Sequence, residues 1–511
     1  MTDLGTSPDL VLAYDLGTGG CKASLWTPAA TMLAETVVPY PTTHPAPGRN
    51  EQRPADWWDA VAASTRRLLE RAPDARDRIS GIALSGQSLG AVQLDERSEL
   101  VSPTTPIWSD TRGRPDAVFG GASGSARGNV SEAEWYRRTG NGFGAALYPL
   151  TKAAAFRADD PDAWARTRHL VGSKDWINLR LTGELATDPS MASGSGAYDL
   201  ATGGYDDELL AAAELPRDVF PRIVPSSERV GALTREAAAA LGLPSGIPVF
   251  AGAVDNAAMA LGSRGTAEGR IYAALGSSSW ITVTSARPVI DENARPYVFA
   301  HAIPGMFVSA LSTFSSGTSL EWLHATLAPG TATAAIIDLA ADSAPGARGV
   351  SFVPTLAGGT PLEGGSGARG GFTGLHLGAG PADLVRACLE GIAFSLDRSL
   401  ALMRELSGSH EPLLITGGGS RSPLWNGIYA DILRSPLQRS AVDQQAATLG
   451  AATIALVGLG IWDDYARADA AHARLDEIVP TAPGSYARAR ERFDAAASAL
   501  ASLTPTQENP T

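Results

Sequence analysis

Tyr14-Asp15-Leu16-Gly17-Thr18-Gly19-Gly20-Cys21-Lys22-Ala23-Ser24-Leu25-Trp26 follows directly on the apolar run Leu10-Val11-Leu12-Ala13. That run is short enough for a buried strand, and Lys22, Ala23, Ser24 and Leu25 alternate as a second strand would. Between the two, Gly17, Gly19 and Gly20 predict a turn whose backbone N–H groups can approach a phosphate with no Cβ in the way. Asp15 at the mouth of the turn is a hard oxygen ligand, suited to a hydrated Mg²⁺. Alone, the stretch is equally a hairpin in which Asp and Gly serve only the turn.

A second copy weighs against the plain hairpin. Ala274-Leu275-Gly276-Ser277-Ser278-Ser279-Trp280-Ile281-Thr282-Val283-Thr284 sets Leu275-Gly276-Ser277-Ser278 against Leu16-Gly17-Thr18-Gly19, and a period-two strand follows each. Two such hairpins, far apart in sequence, predict two related domains facing each other across the phosphates of one nucleotide. The pattern resembles the superfamily of sugar kinases, actin and heat-shock ATPases.

At 511 residues the chain exceeds the usual single core, so two domains are expected. Lys plus Arg total 41 and Asp plus Glu 54, a net charge of −13 that argues against binding nucleic acid or an anionic membrane. A phosphorylated ligand held by backbone N–H groups and a metal stays compatible with that charge. Cys21 and Cys388 are too few for a disulfide framework or a cysteine-ligated zinc. Met1 to Gly5 shows no basic region before an apolar core, and no apolar stretch reaches the roughly 18 residues of a membrane span. A cytoplasmic protein is the expectation.

Further along, Glu51 to Trp58 starts a helix, with Pro54 in its first turn and Val61, Leu68 and Leu69 on one face. Ile79 to Leu84 reads as a buried strand that ends at Ser85-Gly86-Gln87-Ser88-Leu89-Gly90, after which Ala91 to Leu94 resumes the sheet. Polar residues at a strand end are a common ligand position, although Gln87 is equally a satisfied turn residue. Trp108-Ser109-Asp110-Thr111-Arg112 offers a polyol a wall, an acceptor and a donor, or is an ordinary ion pair. The Gly120 to Gly128 tract is expected to be a mobile loop. Pro248 to Val254 forms a strand running into Asp255-Asn256-Ala257-Ala258, and the domain boundary is placed just before it. Asp255 there is either a helix cap or a base. Ala357 to Gly371 holds seven glycines and is expected to be flexible, as a lid or a surface loop. Leu413 to Thr416 feeds Gly417-Gly418-Gly419-Ser420-Arg421-Ser422, a place for a nucleotide edge or phosphate, or a tight turn.

Together these stretches resemble the FGGY carbohydrate kinases, in their xylulokinase-like branch, from about Leu10 to Gly460. The motifs that carry the resemblance are Asp15 to Lys22, Glu51 to Trp58, Trp108 to Arg112, Asp255 to Ala258, Leu389-Glu390-Gly391 and Gly417 to Ser420. The resemblance implies an α/β fold of two actin-like (ribonuclease H-like) domains around a central ATP/sugar cleft. Residues 1–247 would form the N-terminal domain, 248–502 the C-terminal domain and 503–511 a disordered tail. It implies ATP and Mg²⁺ as cofactors, Asp255 as the general base and Asp15 holding the metal through water. Thr18, Gly19, Gly20, Lys22, Gly276, Ser277, Ser278, Gly417, Gly418, Gly419 and Ser422 would bind ATP. Gln87, Ser88, Leu89, Trp108, Asp110 and Asn256 would bind the acceptor, a small ketose, polyol or sugar acid. A homodimer is the candidate assembly. A sugar-responsive protein without catalysis and an ATPase of the same superfamily are the competing readings.

Three departures bear on the acceptor. Ser88-Leu89 stands where xylulokinases carry Met-His, Ser109 replaces an Asn, and Gly358-Gly359-Thr360-Pro361 replaces Gly-Glu-Arg-Thr-Pro. Leu89 is thus expected to form a wall that cannot hydrogen-bond a sugar, and D-xylulose is not expected to be the best acceptor.

Overall fold

Leu10–Leu16 (β1) is buried along nearly its whole length, as an apolar run must be when strands flank it on both sides. Gly20–Trp26 (β2) and Met32–Pro39 (β3) continue from it as an antiparallel meander, while Ile79–Gly86 (β4) runs parallel to β1 on its other edge. Arg229–Ala232 (β5), Pro248–Phe250 (β6) and Ala253–Val254 (β7) complete a sheet of order β5-β6-β4-β1-β2-β3, with β7 also on β4. The computed structural model describes residues 10–119, 130–472 and 474–503. The N-terminal stretch, the Gly120 to Gly128 tract and the expected tail from 504 onward therefore lie outside the described residues.

The second sheet repeats the arrangement. Ile271–Leu275 (β8) and Ser279–Ser285 (β9) form its leading hairpin, followed outward by Phe307–Thr313 (β11) and Tyr297–Ala300 (β10). Leu413–Thr416 (β12) lies parallel to β8, as β4 does to β1, and Leu437–Ser440 (β13) and Leu475–Ile478 (β14) follow. Leu16 pairs with Cys21 around Gly17–Gly20 and Leu275 with Ser279 around Gly276–Ser278, so the first turn is one residue longer.

Helix α1 (Pro54–Arg71) starts on its proline and buries Trp57, Val61 and Leu68 against Leu10, Leu12 and Tyr14. Two expectations need correction. Val92–Leu94 leaves the main sheet and pairs with His169–Val171. The boundary placed before Pro248 cuts the first sheet, because Val249 pairs with Ile82 and Ala253 with Ser85. The chain leaves that sheet only at Asp255, where α3 (Asp255–Gly262) begins.

The two halves meet where α3 crosses α7 (Ala446–Gly458), which also packs on β1 and β4. The approach is backbone to backbone. A Cβ on Gly262 would stand 1.8 Å from the Ala446 carbonyl oxygen, and one on Gly450 would stand 1.9 Å from that of Ala258. Gln445 Nε2 donates to Glu35 Oε2 at 2.9 Å and Trp462 Nε1 to the Pro28 carbonyl at 2.9 Å, binding the halves further. No helix among the described residues is long and apolar enough to cross a membrane.

The crossing makes a sharp mutational contrast. Gly450→Ala is expected to destabilise by about 1–3 kcal/mol or more, because a methyl must displace a backbone. Gly427→Ala, within the helix Pro423–Leu433 (α6) and with open space around its Cβ position, is expected to stabilise by about 0.4–1 kcal/mol. Denaturant midpoints of the two variants measured side by side check this; equal midpoints would refute the close crossing.

Candidate active site

Between the two hairpins lies a cleft with two adjoining lobes. One has a cavity volume of about 360 Å³ and is lined by Asp15, Lys22, Tyr272, Gly276, Thr416 and Gly417 among others. The other has a cavity volume of about 540 Å³ and is lined by Thr18, Ser88, Trp108, Phe143, Tyr297 and Phe314 among others. Asp255, Asn256, Ser277, Ser278 and Trp280 line both. Asp255 therefore stands at the joint.

Its place follows from β7, whose last residue Val254 is the residue before α3 and donates its N–H to Ser190 Oγ at 2.9 Å. Asp255 is the first helical residue rather than the cap, and its Oδ1 accepts the Asn256 N–H at 2.9 Å. Its carboxyl is pushed up to about 7, first by burial and second by the like charge of Asp15, with the Asn256 N–H pulling the other way. Asp15 is held across the sheet: Ser85, its β4 neighbour, donates Oγ–H to its Oδ1 at 2.9 Å. Lys22, its β2 neighbour, stands 3.9 Å from Oδ2. Lys22 Nζ is spent mainly across the cleft, on the Gln444 carbonyl at 2.6 Å.

Both hairpin turns present free donors. The N–H groups of Thr18, Gly19, Ser277 and Ser278 donate to no other group among the described residues. The second turn is pinned from behind by helix α4 (Gly317–Leu327): Gly317 N–H donates to the Gly276 carbonyl, and the N–H groups of Ser316 and Thr318 to that of Ser277. A Cβ on Gly317 would lie 2.6 Å from the Gly276 carbonyl oxygen, so only glycine permits this contact. At the glycine-rich loop, Gly417 faces the cleft with φ 90° and its N–H donates to Asp443 Oδ1 at 2.7 Å. Asp443 Oδ2 pairs with Arg421 at 2.9 Å. Gly418 and Gly419 do not line the lobe, and Ser422 is the cap of α6, its Oγ accepting from the Trp425 N–H at 3.2 Å.

The second lobe differs more from expectation. Ser88, Trp108 and Asn256 line it, and Trp108 Nε1 donates to Thr18 Oγ1 at 2.8 Å. Gln87, Leu89 and Asp110 do not. Gln87 is buried and donates Nε2–H to Gln52 Oε1 at 2.8 Å; Gln52 in turn donates to the Thr18 carbonyl at 2.7 Å. Asp110 is buried with four hydrogen bonds on its two oxygens, from the Asn50 N–H and from the N–H, Nε and Nη2 of Arg112. A carboxylate so occupied has no lone pair left for a sugar. Leu89 is 2% exposed in the apolar core around Ala91 and Trp135, so it is no wall of the cleft. The argument it carried against D-xylulose falls with it.

Residues that sequence reading missed supply the opposite wall. Phe143 stacks on Tyr297 at 4.2 Å between centroids, and Trp280 meets Tyr297 edge-on at 5.5 Å. Trp280 stood in the second hairpin, where its strand position was the available signal; nothing local marks Phe143 or Tyr297. The glycine-rich loop from Ala357 is anchored rather than loose. Ala357 lines the second lobe and donates N–H to Ser315 Oγ at 2.9 Å, and Thr360 and Glu363 bond reciprocally.

Comparison with known proteins agrees with this architecture. The family models for the N-terminal and C-terminal domains of the FGGY family of carbohydrate kinases match residues 10–262 and 271–459. The xylulose kinase of Lactococcus lactis is 29% identical over 456 residues, 89% of this chain and 88% of the relative. The gluconokinase of Bacillus subtilis is 27% identical over 470 residues, 89% of this chain and 88% of the relative. Among solved structures, the xylulose kinase of Rhodospirillum rubrum superposes with a TM-score of 0.86 at 31% identity, covering 97% of this chain and 99% of that one. With both domain models matched in order across a cleft of two facing hairpins, the chain belongs to the FGGY family of carbohydrate kinases.

Proposed function

We propose that this chain transfers the terminal phosphoryl group of Mg·ATP to a hydroxyl of a neutral ketose or polyol, with Asp255 as the base. One observation carries the reading: Asp255 stands where the nucleotide-sized lobe and the acceptor lobe join, flanked by both hairpins. The site's chemistry suits Mg·ATP. Two carboxylates share one lobe, Asp15 raising Asp255, and a hydrated divalent cation with phosphate oxygens is what such a pair takes. Mg·ATP, when bound, supplies the phosphoryl group. The free N–H groups of Thr18, Gly19, Ser277 and Ser278 would hold phosphate oxygens where charge develops during transfer. Asp15 would hold the metal through water, and Lys22 would brace the same wall against Gln444. Asp255 orients the acceptor hydroxyl and takes its proton, a modest demand because phosphoryl transfer passes through a loose transition state. Trp108, Trp280 and Tyr297 cover the acceptor's C–H faces and exclude water that would compete as acceptor.

Neutrality of the acceptor is argued from the lining. Among the described residues around the acceptor lobe there is no Lys or Arg, and a sugar acid would bring its carboxylate beside Asp255 without a cation to meet it.

Four outcomes are expected. In a panel of D-xylulose, D-ribulose, xylitol and D-gluconate assayed for ADP release, a neutral compound leads gluconate by at least about tenfold in kcat/KM; a lead by gluconate would refute the neutral reading. Asp255→Ala loses about 10²- to 10⁴-fold in kcat while ADP affinity by calorimetry is unchanged; retention of a tenth of the activity demotes Asp255 to a structural residue. Because Asp255 must be ionised to accept a proton and its carboxyl lies near 7, kcat/KM rises with pH through neutrality. Asp15→Asn removes the like charge and lowers the Asp255 pKa in nucleotide-free protein, read by carboxyl carbon-13 shifts; an unmoved titration would deny that the two carboxylates face each other.

A further inference from the structure

Lys152, in the first turns of helix α2 (Pro149–Asp159), is completely buried. It has no carboxylate within ion-pair distance among the described residues. Its Nζ donates to the Leu89 carbonyl at 2.9 Å and to the Ile107 carbonyl at 2.8 Å. The two carbonyls belong to segments with no sequence relation. One directly follows Ser88 and the other directly precedes Trp108, the residues through which the β4 loop and the Trp108 segment reach the acceptor lobe.

Several features say that this link is selected against a cost. Burial holds the ammonium down, to about 7, with the Asp110 charge pulling it back up. A methionine would fill the same core space without desolvating a charge. Leu89 has φ 56°, the left-handed region that a leucine enters only when its surroundings hold it there. The start of α2 also sets the far end of the Trp108 segment, where Arg114 N–H donates to the Thr151 carbonyl at 3.0 Å. Lys152 bonds nothing in the nucleotide lobe.

We propose that Lys152 is a positioning residue for the acceptor: by clamping the Leu89 and Ile107 carbonyls it fixes the spacing of Ser88 and Trp108 across the acceptor lobe, and so sets acceptor affinity without touching the acceptor. The proposal rests on the kinase reading above.

The test is Lys152→Met, assayed with the leading acceptor among D-xylulose, D-ribulose, xylitol and D-gluconate, and with the ATP analogue AMP-PNP as probe of the nucleotide lobe. Acceptor KM is expected to rise about tenfold or more while the AMP-PNP Kd stays within about twofold. Leu209→Ala, in the same apolar core but with a side chain that bonds neither carbonyl, is the control and is expected to leave acceptor KM within about twofold. An unchanged acceptor KM in Lys152→Met overturns the proposal, as does an equal rise in Leu209→Ala, which would make Lys152 a core fastener. If Lys152→Met does not fold, Lys152→Gln keeps a donor one atom short of the carbonyls, and its acceptor KM must still rise. A wild-type protein silent on every acceptor overturns the kinase reading and this proposal with it.

Discussion

The crossing of α3 over α7 is the constraint on which the rest depends. Helices normally pack through side chains with axes 8–10 Å apart. Here Gly262 and Gly450 remove the side chains at the contact, so each helix meets the other's carbonyls. That closeness brings the end of the first sheet against the second and leaves the two hairpin turns facing one another. Asp255 begins one of the crossing helices, so the same contact that joins the halves aims the carboxylate into their cleft.

Electrostatics then follows from packing. Asp15, on β1, and Asp255, at the start of α3, share one lobe, and burial together with like charge raises Asp255 to about 7. The sheet supplies no compensating cation beyond Lys22, which is 3.9 Å from Asp15 and is engaged by the Gln444 carbonyl. Under the proposed function, a cleft with unspent N–H donors and crowded carboxylates would take an anion that arrives with its own metal. By contrast, the ion pairs of Arg112 with Asp110 and Glu51, and of Lys174 with Asp175 and Asp188, are closed knots that hold loops in place.

A chain of hydrogen bonds also runs behind the cleft. Gln87 reaches Gln52, Gln52 reaches the Thr18 carbonyl, and the Thr18 hydroxyl accepts from Trp108. The first hairpin turn and the Trp108 wall of the second lobe are thereby parts of one framework. A rigid framework of this kind holds reacting groups in register, which is most of what phosphoryl transfer asks of a protein.

The sequence by itself determined the two hairpins, the strand into Asp255, the triple-glycine turn and the two-domain α/β plan. Each is a local pattern of glycine, alternation and apolar run, written in neighbouring residues. Tertiary structure alone decided which polar residues near the cleft are free. Gln87, Leu89 and Asp110 sit in stretches that look like acceptor contacts, yet burial gives the first and third other partners and turns the second into the core. Phe143, Tyr297 and Lys152 carry no local mark, because their neighbours arrive from segments far along the chain. The boundary before Pro248 misplaced β6 and β7 for the same reason: a strand's sequence states that it is buried, and only its pairing with β4 states in which sheet.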